Sequence, residues 1–413
     1  MTVVIVGAGI GGLTAALALR AQNIDTIVLE QATELGEVGT GLQIGPNASR
    51  VLYRLGLEKD LAPISLTVEE SVRRRWKTGE ILTKTTLGSA ATTKFGSPYL
   101  HLHRADLHSV LHHAATDPQR PGPPALVRTT ARVASIDQTD PERPVAVTTD
   151  GTRWQADVII GADGIRSAVR AAIGGPGDIE TSGDMAYRTL VPAETLRVDP
   201  ATRWIFDWPA AQFWLGENRH VVAYPVRNME YVNVVAIAPV APQVDLEWRC
   251  EVDATQMRQE YAGWDERLTR LLAASPDRVT AWALNYQKPF ADWNHDSIAL
   301  LGDACHSMLP YFSQGASQAI EDGAVIAEEL AAADDGETTI PHALARYSSR
   351  RADHAGIVQN GATNNRDLFH LPDGPAQLHR DAQFRSHHEE SNVSFDWIYH
   401  GTPLADDHRL LPR

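Results

Sequence analysis

A chain of 413 residues with 43% hydrophobic content is long enough for two or three domains around a substantial core. Its 37 basic side chains against 52 acidic ones leave a net charge of −15, which argues against a nucleic-acid or anionic-membrane surface and favours small-molecule partners. Cys250 and Cys305 are too few and too far apart for a disulfide framework or a cysteine metal site.

Residues 2 to 30, TVVIVGAGIGGLTAALALRAQNIDTIVLE, carry the strongest signal. An apolar strand from Thr2 to Val6 runs through Gly7, Gly9 and Gly12 into a helix, and a second apolar strand ends at Glu30. Gly7 permits the tight turn, Gly9 lets backbone amides approach a pyrophosphate, and Gly12 lets helix and strand pack closely. Glu30 can accept hydrogen bonds from a ribose diol. This is a dinucleotide fingerprint, and by itself it leaves NAD and FAD open. Met1 is followed at once by that strand, so no leader is expected. No apolar run reaches the ~18 residues of a membrane span. The cytoplasm is the expected compartment.

Residues 36 to 57, GEVGTGLQIGPNASRVLYRLGL, read as an irregular glycine-rich loop followed by a helix from Ala48 to Leu55 with Asn47 as its cap. Short strands are predicted at Ser71 to Trp76 and Glu80 to Thr85, then a helix after Arg104 in HLHRADLHSVLHHAA, where Asp106 opens the apolar face. His108 and His112 stand four apart on it, but no third ligand follows at a fitting offset, and no metal is expected. Strands follow at 131 to 137 and 145 to 149. In WQADVIIGADGIRSAVRAAIG a further strand breaks at Asp163-Gly164 and resumes as a helix, again placed for a ligand at the carboxyl end of a parallel sheet. The proline-rich stretches Pro118 to Pro124, Asp140 to Pro144 and Pro239 to Pro242 read as surface connections.

From about 181 to 285 the chain becomes a series of short aromatic and β-branched runs, WIFDW, QFWLGE, HVVAY and YVNVVAIA, which predict an antiparallel sheet. A period of two puts His220, Val222 and Tyr224 on one face, so that His220 and Tyr224 offer two proton-handling side chains over one surface. A third strand from Ser297 runs into Gly302-Asp303, and a helix from Gly315 to Leu330 carries a stripe of small residues and presents the free amides of Gly315, Ala316 and Ser317. The expected fold class is α/β: a Rossmann-like parallel-sheet domain, an antiparallel-sheet domain, and C-terminal helices. The expected division is 1–70, 101–180 and 286–345 for the dinucleotide, 71–100 and 181–285 for a substrate, and 346–413 as a helical segment and tail.

Three motifs in register, Gly7 to Gly12, Asp163-Gly164 and Gly302-Asp303, resemble the single-component FAD-dependent aromatic hydroxylases, the class A flavoprotein monooxygenases with the para-hydroxybenzoate-hydroxylase fold. The stretches GEVGTGLQIGPNASRVL, LTKTTLGS, GSPYLHLHRADLH and HVVAYPVRNMEYVN look most similar to 3-hydroxybenzoate 6-hydroxylases, with salicylate 1-hydroxylases next. The resemblance implies that FAD is tightly bound by Gly7, Gly9, Gly11, Gly12, Glu30, Gln31, Gln43, Arg104, Val133, Asp163, Gly164, Gly302, Asp303, Gly315, Ala316 and Ser317. It implies that NADH or NADPH reduces the flavin near Asp163 and Arg166, and that a flavin hydroperoxide formed with molecular oxygen hydroxylates a small phenolic acid. His220 would be the base, Tyr224 its relay, and Tyr99 a further cavity residue. A 6-hydroxynicotinate hydroxylase would carry histidines where this chain has Gln43 and Tyr311, which argues against that substrate. A decarboxylative hydroxylase of the salicylate type and a flavin reductase or dehydrogenase are the alternatives, and a monomer or homodimer is expected.

Overall fold

A computed structural model describes residues 1–36, 40–240, 249–386 and 395–401. Residues 37–39 of the glycine-rich loop, Ala241 and Pro242 of the Pro239–Pro242 connection, and the tail from 402 lie outside the described residues. The apolar runs read as buried parallel strands do form one six-stranded sheet, in the order Asn294–His295, Ile298–Leu300, Val158–Gly161, Thr2–Val6, Asp25–Leu29, Leu126–Arg128. It is parallel apart from the Asn294–His295 edge. Val3, Val4, Ile5, Ile159, Ile160 and Ala299 are fully buried, as a sheet covered on both faces requires.

The helices Ile10–Ala21 and Gly315–Asp334 pack on that sheet and on each other. The stripe of small residues has its reason here. A methyl group at Gly323 would press on the Ala15 backbone, and one at Gly11 on Leu301 and Ala319. Among the described residues no helix is long and apolar enough to cross a membrane.

The second sheet has eight strands, in the order Arg249–Asp253, Arg278–Tyr286, Glu180–Pro192, Tyr231–Pro239, Arg219–Val226, Ala211–Gly216, Glu70–Arg75, Ile81–Thr86. All its pairings are antiparallel except that of Ala211–Gly216 with Glu70–Arg75. One face packs Tyr187, Trp214, Val221 and Ala223 with Met257, Leu268 and Leu272 of the helices Ala254–Glu260 and Glu266–Ala273. The other packs Ala186, Leu215 and Ile237 with Tyr311, Ala362 and Phe369. The 30-residue helix Ile340–Phe369 therefore carries the C-terminal region back to the substrate side of this sheet.

Two local readings are corrected. Gly41–Ile44 is not loop but a strand paired with Leu100–His103, and the following helix spans Pro46–Arg54, with Gly45 rather than Asn47 at its cap. Asn47 instead donates from Nδ2 to Glu321 Oε1 at 2.5 Å and to Gln314 Oε1 at 3.1 Å. In the first turn of the helix Arg104–Thr116, both carboxylate oxygens of Asp106 accept from Arg227.

The Gly302 turn is held by one buried carboxylate. Asp322 Oδ2 accepts from the Gly302 amide at 2.9 Å and lies 2.6 Å from His306 Nε2, while Oδ1 accepts from Arg351 Nε at 2.7 Å. Arg351 also donates to Glu321 Oε2 at 2.9 Å and to Gln318 Oε1 at 2.7 Å. Burial opposes ionisation of Asp322, but the charges of His306 and Arg351 outweigh it and bring its pKa down to about 2. Because the folded value lies below the unfolded one of about 3.9, the contribution is complete above pH ~4 and is lost as pH falls towards 2. Acid unfolding of wild type should therefore steepen in that window, and Asp322→Asn should flatten it. Arg351→Met leaves two carboxylates buried without their cation and should cost about 3–5 kcal/mol, read as a lowered denaturant midpoint.

Candidate active site

The glycine loop stands at the carboxyl end of Thr2–Val6, whose neighbours are the next strand in sequence on one side and Val158–Gly161 on the other, the switch point at which open α/β sheets bind ligands. Gly7 has φ +107°, and a methyl group there would strike the Ala162 carbonyl; one at Gly12 would strike the Gly7 carbonyl. Gly9 differs, since a methyl group there would meet nothing within 4 Å. Two of the glycines serve the fold, and Gly9 keeps open the surface that a pyrophosphate would approach. A methyl group at Gly11 would meet Leu301 and Ala319, so this glycine also serves the packing of the two helices.

Glu30 is fixed over the loop, accepting from the Ala8 amide at Oε2 and the Ala32 amide at Oε1, both at 2.8 Å. Its remaining lone pairs are available to a ribose diol. Gln31 is exposed beside it, and Val133 is buried at the start of Val133–Asp137. The Arg104 amide donates to the Thr40 carbonyl at 2.9 Å. His108, set aside as a metal ligand, places Nε2 2.7 Å from the Ala8 carbonyl and so braces the glycine loop.

Asp163 binds its own chain: it accepts from Ser167 Oγ at 2.5 Å and from the amides of Ala168 and Val169 at 2.7 and 3.2 Å. It shapes the turn at Gly164, where φ is +77°. Asp303, next to Gly302, is exposed. Gly315, Ala316 and Ser317 begin the 20-residue helix, and Ser317 Oγ is buried without a hydrogen-bond partner. The open face at Gly9, the oriented Glu30 and the unmet Ser317 hydroxyl fit FAD.

A cavity lies against the large sheet, walled by Gln43, Arg73, Tyr99, Phe213, Tyr311, Phe369 and Tyr399 among others. Aromatic walls with polar side chains set among them match small-molecule sites. Tyr99 donates to Gln43 Oε1 at 2.6 Å. Burial pushes the Tyr99 phenol up, with Tyr399 and Tyr224 adding to it, and burial likewise raises Tyr224, against Arg188 and Gln43. Both phenols stay protonated at neutral pH.

His220 and Tyr224 share a face of Arg219–Val226 as the alternation predicts, about 13 Å apart along the strand. Tyr224 packs its ring 4.4 Å from that of His101. His220 adjoins the cavity, its ring 5.1 Å from Tyr311 and 5.4 Å from Phe369, with Nδ1 2.9 Å from His370 Nε2. His370 Nδ1 lies 3.9 Å from Asp184 Oδ2. That carboxylate also accepts from Tyr311 Oη at 2.6 Å and from Arg366 at 2.5 and 3.0 Å. Burial, and then the neighbouring His370, holds His220 well below the ordinary histidine range. Burial also brings His370 down to about 4, against the pull of Asp184.

Sequence reasoning missed Arg73, Asn365, Phe369, His370, Phe395 and Tyr399. Phe95 and Tyr399 meet edge to face at 5.3 Å, Tyr99 and Tyr399 at 6.0 Å, and Arg50 holds the Tyr399 and His400 carbonyls. Phe395 and Tyr399 thus close one wall. The i, i+4 pair Asn365 and Phe369 was visible in the sequence, but nothing there said that its face meets a cavity.

These roles separate by experiment. Gly9 has extended backbone angles that any residue adopts. Gly9→Val should therefore leave the thermal midpoint of the cofactor-free chain unchanged while the purified protein loses most of its flavin absorbance. Gly12→Val should lower that midpoint as well. A chain ending at residue 394 should retain flavin but consume reduced nicotinamide and oxygen with little hydroxylated product, measured as the ratio of peroxide to product.

Residues 1–361 match the FAD binding domain family. The 3-amino-4-hydroxybenzoate 2-monooxygenase PtmB3 of Streptomyces platensis is 36% identical over 401 residues, covering 96% of this chain and 95% of that protein. The 3-hydroxybenzoate 6-hydroxylase 1 of Aquipseudomonas alcaligenes is 31% identical over 398 residues, covering 96% and 97%. A salicylate hydroxylase solved as a substrate complex has the same fold, with a TM-score of 0.77 at 24% identity over 98% of this chain and 99% of that one. With the open glycine loop, the three motif turns and the aromatic cavity, these likenesses identify the chain as a member of the FAD binding domain family and as an FAD-dependent aromatic monooxygenase.

Proposed function

We propose that the substrate is a small phenolic acid, a hydroxybenzoate hydroxylated in the manner of 3-hydroxybenzoate 6-hydroxylase or the 3-amino-4-hydroxybenzoate monooxygenases, with NADH or NADPH as reductant and molecular oxygen as oxidant. The observation that carries this reading is the cavity itself: aromatic walls from Phe213, Tyr311, Phe369 and Tyr399, interspersed with the polar side chains of Gln43, Arg73, Thr85 and Asn365. Bound FAD supplies hydride acceptance from the nicotinamide and delivery of one oxygen atom to the ring. Gly7, Gly9, Glu30, Asp303 and the amides of Gly315 to Ser317 would hold it, and the positive end of that helix dipole favours negative charge beside it.

The chain's own task is to bind the ring dry and to take a phenolic proton. A phenol with an unperturbed pKa of about 10 is mostly protonated at neutral pH, and its ring is a far better nucleophile once deprotonated. His220 is the proposed acceptor. It is held neutral, so its lone pair is available, and the transient positive charge can pass through the 2.9 Å contact to His370, near Asp184. Gln43, fixed by Tyr99, orients the hydroxyl. The aromatic walls exclude water that would otherwise divert the oxygen.

Turnover of 3-hydroxybenzoate, salicylate and 3-amino-4-hydroxybenzoate under labelled oxygen, followed by product mass, tests the reading; an unlabelled product would sink it. Carbon dioxide released with salicylate would instead favour the decarboxylative type, and anaerobic turnover with an artificial acceptor a dehydrogenase. His220→Ala should slow hydroxylation by about 10²-fold or more without changing flavin content. His370→Ala should do nearly the same, and the double variant little worse, since the two act as one unit. Because both imidazoles are held neutral, lowering the pH through 6.5 should not titrate them. The pH profile of single-turnover hydroxylation should fall only as pH approaches the His370 value of about 4.

A further inference from the structure

Three consecutive arginines end the strand Glu70–Arg75, and two of them are accounted for. Arg74 points to the far face, where it donates to Gln212 Oε1 and the Gly79 carbonyl, both at 2.9 Å, and lies over Trp204 and Trp208. Arg75 pairs with Asp373 and, at 3.9 Å, with Asp381. Arg73 lines the cavity and pairs with no carboxylate among the described residues. Its one hydrogen bond runs to Thr85 Oγ1 at 3.3 Å. Around it stand the rings of Phe213, Phe369 and Phe384, with its guanidinium carbon 5.8–5.9 Å from their centroids.

A guanidinium half-withdrawn from water among phenyl rings is costly to hold unless an anion meets it. Burial already depresses its pKa, against the pull of Tyr399 and Tyr99. The neighbouring anions cannot serve it. Asp184 is clamped by Arg366 and Tyr311, and Asp381 by Arg380. Glu70 faces Lys84 and Trp208. The planar fork matches a carboxylate bidentately, and the flanking rings match a flat aromatic body attached to it.

We propose that Arg73 is the anion anchor of the cavity, receiving the carboxylate of the aromatic acid and so fixing the orientation of its ring. This is a specificity-determining role, and it rests on the reading of the substrate as an acid.

Binding, independent of turnover, tests it. The FAD-loaded wild type, Arg73→Gln and Arg73→Lys are titrated with 3-hydroxybenzoate, 3-amino-4-hydroxybenzoate, salicylate and uncharged 3-hydroxybenzamide, following the flavin absorbance. Wild type should prefer an acid to the amide. Arg73→Gln should weaken the acid by roughly 30- to 100-fold while its affinity for the amide and its flavin content stay unchanged, and Arg73→Lys should fall between the two. An Arg73→Gln protein that still prefers the acid as wild type does, or an equal loss for acid and amide in both variants, would overturn the anchor alone. Wild type that binds none of the acids would overturn the substrate reading, and the anchor with it.

Discussion

The Asp322 carboxylate holds together parts of the chain that have no other reason to meet. It caps the Gly302 turn, neutralises Arg351 from the long C-terminal helix, and sits within hydrogen-bonding distance of His306. Through Glu321 and Gln318 the same network reaches Asn47, and with it the segment that carries Gln43. The Gly302 turn, the helix Gly315–Asp334 that carries Asp322 and the long C-terminal helix that lines the cavity are therefore referenced to one buried anion. A buried charge network is a poor source of net stability, because desolvation consumes most of its attraction, but it tolerates few alternative geometries. That intolerance suits a site where two ligands must meet in a fixed relation.

The same electrostatic economy separates the two halves of the site. Around the glycine loop the chain offers amides, a helix end and an exposed Asp303, groups suited to a phosphate-bearing cofactor and open to it. Against the large sheet it offers rings, with titratable groups held neutral. His220 and His370 are pushed down by burial, and Tyr99, Tyr224 and Tyr311 are pushed up. In that setting the uncompensated charge of Arg73 is the exception, and exceptions of this kind mark where a ligand supplies what the protein withholds.

The N-terminal βαβ unit and its glycines were legible in sequence because their causes are local. A tight turn, a helix packed on a strand and an acid at a strand end are each specified within thirty residues, and the structure adds only that Gly11 packs while Gly9 opens. The antiparallel sheet was legible for the same reason, since period two along HVVAY puts His220 and Tyr224 on one face. Alternation assigns a face but not the neighbour across it. Hence His220 proved to be bound to His370, 150 residues on, and Tyr224 to lie beside His101.

The sequence by itself determined the fold class and the dinucleotide site, because these rest on short-range patterns of turn, strand and charge. Only the tertiary structure decided which residues enclose the cavity. Arg73 became distinctive when its two neighbours found partners and it did not, and Tyr399 became a wall when the end of the chain returned to Phe95 and Tyr99. Partnership across hundreds of residues is a property of packing, and no local pattern encodes it.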